Sequence, residues 1–147
     1  MVALHVPDSI SIQSHRGIYE ARFTPDLLTN LSVLLEGEPH FIIDSNIARL
    51  YSTQLHSVLS HPNVILVDAT EQNKSLESAS RIITTLVAQK TRRNHHLVAI
   101  GGGIIQDLVC FIASTLLRGV SWQLVPTTLL AQADSCIGSK SSINVGD

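Results

Sequence analysis

A chain of 147 residues, 44% hydrophobic and 15% charged, carries enough apolar material for one domain with a sizeable core and is not a disordered composition. Its formal net charge of −2 gives no general attraction for nucleic acid or an anionic membrane, so any anion it takes must be held by a local arrangement. MVALHVPDSI has neither the basic start nor the long apolar run of a secretory signal, and no stretch approaches the roughly 18 apolar residues of a membrane span. A cytoplasmic location is the expectation. Cys110 and Cys136 share no metal-like spacing and are too few for a disulfide scaffold, so both read as free thiols in apolar surroundings.

In chain order, ALHV (3–6) and SISIQ (9–13) predict a small antiparallel edge, and TPDLLTNLSVLLEG (24–37) predicts a short helix. Thr24 suits its cap, Pro25 its first turn and Gly37 its end. HFIID (40–44) reads as a buried strand. The spacing of Ile47, Leu50, Leu55 and Leu59 predicts a helix over 45–61. NVILV (63–67) is a second strand, and 74–90 a second helix with Leu76, Ile83 and Leu86 towards one side. HLVAI (96–100) runs straight into three glycines. Residues 104–117 then predict an apolar helix whose only charge is Asp107, and WQLV (122–125) is a fourth strand closed by Pro126. Strands alternating with helices imply parallel pairing, and continuously apolar strands imply a sheet covered on both faces. The expected fold is therefore α/β, a Rossmann-like parallel sheet with helices on both faces, in one domain over 1–147. The polar tail SCIGSKSSINVGD (135–147) has no element to finish it and reads as the first portion of a longer protein.

AIGGGIIQDL (99–108) raises the functional question. Glycines between a buried strand and a helix let a ligand approach the main chain, and the helix start offers N–H groups and a positive dipole end to an anion. A tight turn needing no ligand is the plain alternative. A P-loop is excluded because no Lys-Ser or Lys-Thr follows at the required spacing. The ordinary G-x-G-x-x-G fingerprint fails because Gln106 stands at its third glycine, and the best strand-end acid, Asp44, precedes the loop rather than following it. Asp107, in the first turns of an apolar helix, either complements the dipole or faces whatever the loop binds.

The ordered set of the glycine triplet, Asp107, Arg118-Gly119, VPTTLLAQ (125–132), Asp134 and Lys140, with DSN (44–46) and EQNKSLES (71–78) upstream, resembles the 3-dehydroquinate synthase family of sugar phosphate cyclases. The resemblance covers most of 40–147. It implies an NAD-binding N-terminal domain and conversion of 3-deoxy-arabino-heptulosonate 7-phosphate to 3-dehydroquinate and phosphate. It also implies a homodimer, and a zinc or cobalt ion held by a C-terminal helical domain whose ligands are expected beyond Asp147. By the same resemblance Asp44, Asn46, Glu71, Lys74, Gly102, Gly103, Ile104, Asp107, Thr127 and Thr128 would contact NAD. Arg118, Asp134 and Lys140 would face the sugar acid phosphate, with Arg118 serving its phosphate across a dimer interface. No metal ligand is expected within the chain.

Each residue has a plainer reading. Asp44 or Ser45 caps a helix, Glu71 and Lys74 form a solvated pair, and Thr127 and Thr128 cap the next helix. Arg118 complements a helix C-terminus, and Lys140 is simply exposed. His95 and His96 are adjacent in a strand and point to opposite faces, which argues against a shared metal. Two segments depart from the family pattern. Gln106 and Cys110 stand where GGGxxGDxxGF has its later glycines, so Gln106 would either crowd the cofactor or donate a hydrogen bond to it. GSKSS (138–142) replaces GGKTG, with Ser139 and Ser141 keeping the loop small.

Overall fold

The computed structural model describes residues 8–14, 17–25, 27–135, 137 and 141–146. ALHV, Cys136 and Lys140 lie outside them. The chain begins with a hairpin of β1 (Ser9–Ser14) and β2 (Gly17–Arg22), so SISIQ pairs with GIYEAR. The expected pairing of SISIQ with ALHV lies outside the described residues.

The helix expected over 24–37 does not form. Two short 3-10 turns, Leu27–Thr29 and Leu31–Leu34, stand there, interrupted at Asn30. The Ser32 hydroxyl donates to Asn30 Oδ1 at 2.6 Å, a local bond that competes with helical geometry, while Leu31 and Leu34 still reach the core.

The sheet follows the apolar runs. β3 (Pro39–Asp44), β4 (Val64–Val67), β5 (His96–Gly101) and β6 (Ser121–Pro126) pair in the order β4-β3-β5-β6, every pair parallel. Between them lie α1 (Ser45–Leu50), α2 (His56–Leu59), α3 (Leu76–Ala88) and α4 (Gly103–Thr115). The expected 45–61 helix is thus broken at Tyr51–Leu55. Leu55 N still donates to Tyr51 O, so the break is a distortion of one helical path, and it turns Leu55 and Val58 inward while leaving Leu50 exposed. α3 buries Ser78, Ala79, Ile82 and Leu86 rather than Leu76, which is exposed.

Side chains of alternate parity split the core in two, as a covered parallel sheet requires. Ile42, Leu97 and Ala99 meet α3 and α4 on one face. Phe41, Ile43, Val98 and Ile100 meet α1, α2 and the 3-10 turns on the other. Cys110 is a half-buried free thiol. Among the described residues no helix is long and apolar enough to cross a membrane.

The strand order fixes where a ligand can sit. From β3 the chain moves outward to β4, then crosses back over β3 to β5 and on to β6. The direction of winding reverses between β3 and β5, which opens a crevice at their carboxyl ends.

Candidate functional site

Register carries the site residues to that crevice. Ile43 pairs with Ile100, so Asp44 and Gly101 end neighbouring strands. Gly101 pairs with Pro126, which delivers Thr127 and Thr128 beside the loop, and Asp44 pairs with Val67, which leads to the 3-10 turn Glu71–Asn73.

The three glycines are needed for different reasons. A Cβ on Gly101 would come within 2.5 Å of Ile105 Cγ1, and one on Gly102 within 2.9 Å of Thr128 Cγ2, so internal packing requires both. A Cβ on Gly103 would meet nothing within 4 Å. Gly103 therefore opens the start of α4 to whatever approaches from outside. That helix start also has no side-chain cap, whereas Asp44 caps α1 and Ser75 caps α3. An uncapped helix N-terminus beside an unobstructed glycine is a seat for an anion.

Beside it stands a charge cluster. Lys74 Nζ lies 3.3 Å from Asp107 Oδ2 and 3.4 Å from Glu71 Oε1. Lys74 and Asp107 are only 15% and 21% exposed, so this is more than a solvated surface pair, although Glu71 is 64% exposed. Desolvation works against the Lys74 charge, and Asp107 followed by Glu71 more than offsets it, so its pKa rises. A hydrogen bond from Asn144 holds the Glu71 carboxyl below the usual glutamate range, with slight desolvation opposing it and Lys74 adding to it.

Some plainer readings hold alongside. Asp44 Oδ1 accepts from Asn46 N at 2.9 Å, a helix cap, which leaves Oδ2 without a partner among the described residues. Thr128 Oγ1 accepts from Ala131 N at 3.2 Å. Thr127 differs. Its N–H donates to Gly101 O at 3.0 Å, while its buried Oγ1 has no partner among the described residues. It lines an apolar depression of about 260 Å³ with Ile47, Tyr51, Ile100 and Val125 on the α1 side of the crevice. Gln106 is 3% exposed, so it does not stand in the path of a ligand above Gly103, and the crowding expectation falls.

Asp44, Asn46, Glu71, Lys74, Gly102, Gly103, Ile104, Asp107, Thr127 and Thr128 thus share one edge of the sheet. Arg118 does not. It follows α4, whose thirteen residues span about 20 Å, so it lies at the opposite edge. Asp134 is exposed in the π-helical turn Ala131–Ser135. Among the described residues no group of three or more His, Cys, Asp or Glu side chains is arranged to hold a metal. His95 instead places Nδ1 3.0 Å from Nε2 of the fully buried His40, at the amino ends of the strands.

Sequence reasoning missed Asn144. Within the tail read as unfinished, Asn144 docks here, bonded to Glu71, Lys74 and Leu76. A polar residue directly after Ile143, which packs on the core, was the available signal.

The family profile described as 3-dehydroquinate synthase N-terminal matches residues 64–147. The chain belongs to the 3-dehydroquinate synthase family. A 3-dehydroquinate synthase of Dichelobacter nodosus is 39% identical over 133 residues, covering 86% of this chain and 36% of the relative. One from Enterococcus faecalis is 42% identical over 107 residues, covering 70% and 30%. This family member therefore spans about a third of the length of the curated relatives it matches. Among solved structures, a 2-deoxy-scyllo-inosose synthase superposes with a TM-score of 0.78 at 22% identity, covering 93% of this chain and 41% of that one, a likeness of fold. A 2-epi-5-epi-valiolone synthase from Streptomyces hygroscopicus, solved with NAD+ and Zn2+ bound, gives a TM-score of 0.72 at 29% identity, covering 83% and 36%.

Proposed function

We propose that this chain is the cofactor-binding part of a 3-dehydroquinate synthase and that the crevice at the β3–β5 switch takes NAD. The observation that carries the reading is Gly103, a glycine with no internal steric need, at an uncapped helix start beside the Lys74–Asp107 pair. NAD matches this donor set. The pyrophosphate would take the N–H groups at Gly103 and Ile104. Ribose hydroxyls would donate to the carboxylates of Asp44 and Glu71, whose acceptor-only oxygens suit a diol. Thr127 Oγ1 and the apolar depression beside it would receive a ring edge.

When bound, NAD supplies reversible hydride acceptance from a ring carbinol, with no net redox change over the whole reaction. The residues of this chain bind and orient. Lys74 holds Asp107 and Glu71 in place and offsets the phosphate charge, where fixed electrostatics contribute most. Asp134 and Lys140 are assigned to the sugar acid phosphate. Arg118, about 20 Å from the loop along α4, would serve the phosphate in the crevice of a second copy, as expected of a homodimer. A zinc or cobalt ion would be held by the C-terminal helical domain that the family resemblance implies. The whole enzyme is assigned to the cytoplasm.

Two experiments test the reading. Calorimetric titration of the chain with NAD should show weak binding, in the millimolar range (about 4 kcal/mol), and Asp107→Ala should weaken it about tenfold. No heat at millimolar NAD would favour a scaffold role. The 147-residue chain alone should form no 3-dehydroquinate, and detectable turnover would overturn its assignment as only the cofactor-binding part.

The replacement of GGKTG by GSKSS favours a second reading for substrate alone, a sister cyclase acting on another sugar phosphate. Turnover assays of the whole enzyme with alternative sugar phosphates separate the two.

A further inference from the structure

Asn144 lies 73 residues from Glu71 in sequence, yet among the described residues its hydrogen bonds go to the short segment 71–76. Its N–H donates to Lys74 O at 2.9 Å, and its carbonyl accepts from Leu76 N at 3.0 Å, forming an isolated parallel bridge with Ser75. Leu76 is the first residue of α3, so the Asn144 carbonyl satisfies one of the N–H groups a helix start leaves open. The side chain adds a second pair of bonds. Nδ2 donates to Glu71 O at 3.3 Å and to Glu71 Oε1 at 3.0 Å. Ile143 packs against the α3–α4 face of the core and anchors the arrangement.

The consequence falls on Glu71. Its carboxylate is mostly exposed, and a free glutamate loses side-chain entropy when a ligand fixes it. Here Oε1 already takes two donors, the Asn144 amide and the Lys74 ammonium, which leaves Oε2 without a partner among the described residues. Lys74, the other arm of the cluster, has its backbone carbonyl held by the same asparagine. An acceptor fixed before a hydroxyl arrives binds it at lower entropic cost than one fixed on arrival.

We propose that Asn144 is a positioning residue for the cofactor site, holding Glu71 and Lys74 in the orientation that receives a ribose diol. This rests on the NAD reading above. It assigns no chemistry to Asn144, which acts through Glu71.

Carboxyl NMR and NAD titrations on the 147-residue chain test it with Asn144→Ala and with Asn144→Asp, which keeps the main-chain bonds and shape but removes the donor. In the unmodified chain Glu71 should titrate below the ordinary glutamate range. In Asn144→Ala it should return towards that range, and in Asn144→Asp it should rise further beside a like charge. Both variants should bind NAD five- to tenfold more weakly. Combining Asn144→Ala with Glu71→Ala should weaken binding no more than Glu71→Ala alone, the non-additivity expected of one residue acting through another. An unmoved Glu71 titration, an additive double variant, or unchanged affinity in a chain that does bind NAD would each overturn the assignment. A chain that does not respond to millimolar NAD would sink the NAD reading and the ligand half of the proposal, while the Glu71 titration still decides whether the clasp exists.

Discussion

At the scale of single residues, the three glycines separate fold from function. Gly101→Ala should destabilise the chain by roughly 1–3 kcal/mol, because its Cβ overlaps Ile105, a fully buried side chain that cannot retreat. Gly103→Ala should leave the fold unchanged or slightly firmer, since alanine is the better helix former by about 1 kcal/mol and meets nothing there. It should nevertheless weaken NAD binding, because the new methyl group occupies the approach to the α4 start. Urea denaturation and NAD titration of the two variants check the pair, and unchanged NAD affinity in Gly103→Ala would remove the observation on which the function rests. Gln106→Gly points the other way. With its side chain buried, its replacement should cost about 1 kcal/mol of stability and should not improve binding.

At the scale of elements, what was legible in the sequence was whatever the local chain decides. The four strands of the parallel sheet show because each is a largely apolar run stopped by Pro, Gly or Asp, and α3 and α4 show because their patterns are long; β2 (GIYEAR) has no such run and was not foreseen. The misplaced helices failed for local reasons as well. Asn30 and Ser32 bond to one another and cut 24–37 into 3-10 turns, and 45–61 keeps its helical path but bends at Tyr51–Leu55 to seat Leu55 and Val58. The end of α4 was also extended too far by its apolar pattern, for Leu117 and Arg118 both adopt left-handed backbone, at φ 51° and 67°. For a non-glycine residue this costs of order 1–2 kcal/mol, and Leu117 lies outside the buried core, so little packing is lost by changing it. Leu117→Gly should therefore raise stability by about 0.5–1 kcal/mol in chemical denaturation, glycine's greater unfolded-state entropy offsetting part of the relief. A destabilised variant would show that the turn is held by contacts of the leucine side chain itself.

At the scale of the whole molecule, parallel pairing places two chemistries at opposite edges of one sheet. The carboxyl edge gathers residues spread from Asp44 to Thr128 in sequence, which is why the candidate site as a whole was legible only through an ordered family pattern. Asn144 escaped because its contact is made across half the chain and its place directly after Ile143 was the one faint local signal. The amino edge gathers histidines. His40 Nδ1 lies 3.1 Å from Gln89 Oε1, an acceptor, so it carries the proton and donates; Nε2 then accepts from His95 Nδ1 at 3.0 Å. His40 is neutral in this arrangement, which ties β3 to the end of α3 and the start of β5. Burial lowers the His40 pKa first, with the Gln89 bond opposing and His95 and His61 adding to the fall against a small contribution from Glu38. His96 is likewise lowered, by burial and then His95. A folded-state pKa below the unfolded value means that the unfolded chain binds more protons in acid. The stabilisation is therefore complete above pH of about 6.5 and is lost as pH falls below it towards the folded-state value, by up to about 1.4 kcal/mol per pH unit for each histidine. Denaturation between pH 8 and pH 5 should show stability falling on the acid side, in roughly that range of slopes. His40→Gln, which cannot charge, should be less stable at pH 8 yet show a flatter slope. An equal slope in that variant would mean that the acid sensitivity lies elsewhere than in the buried histidine.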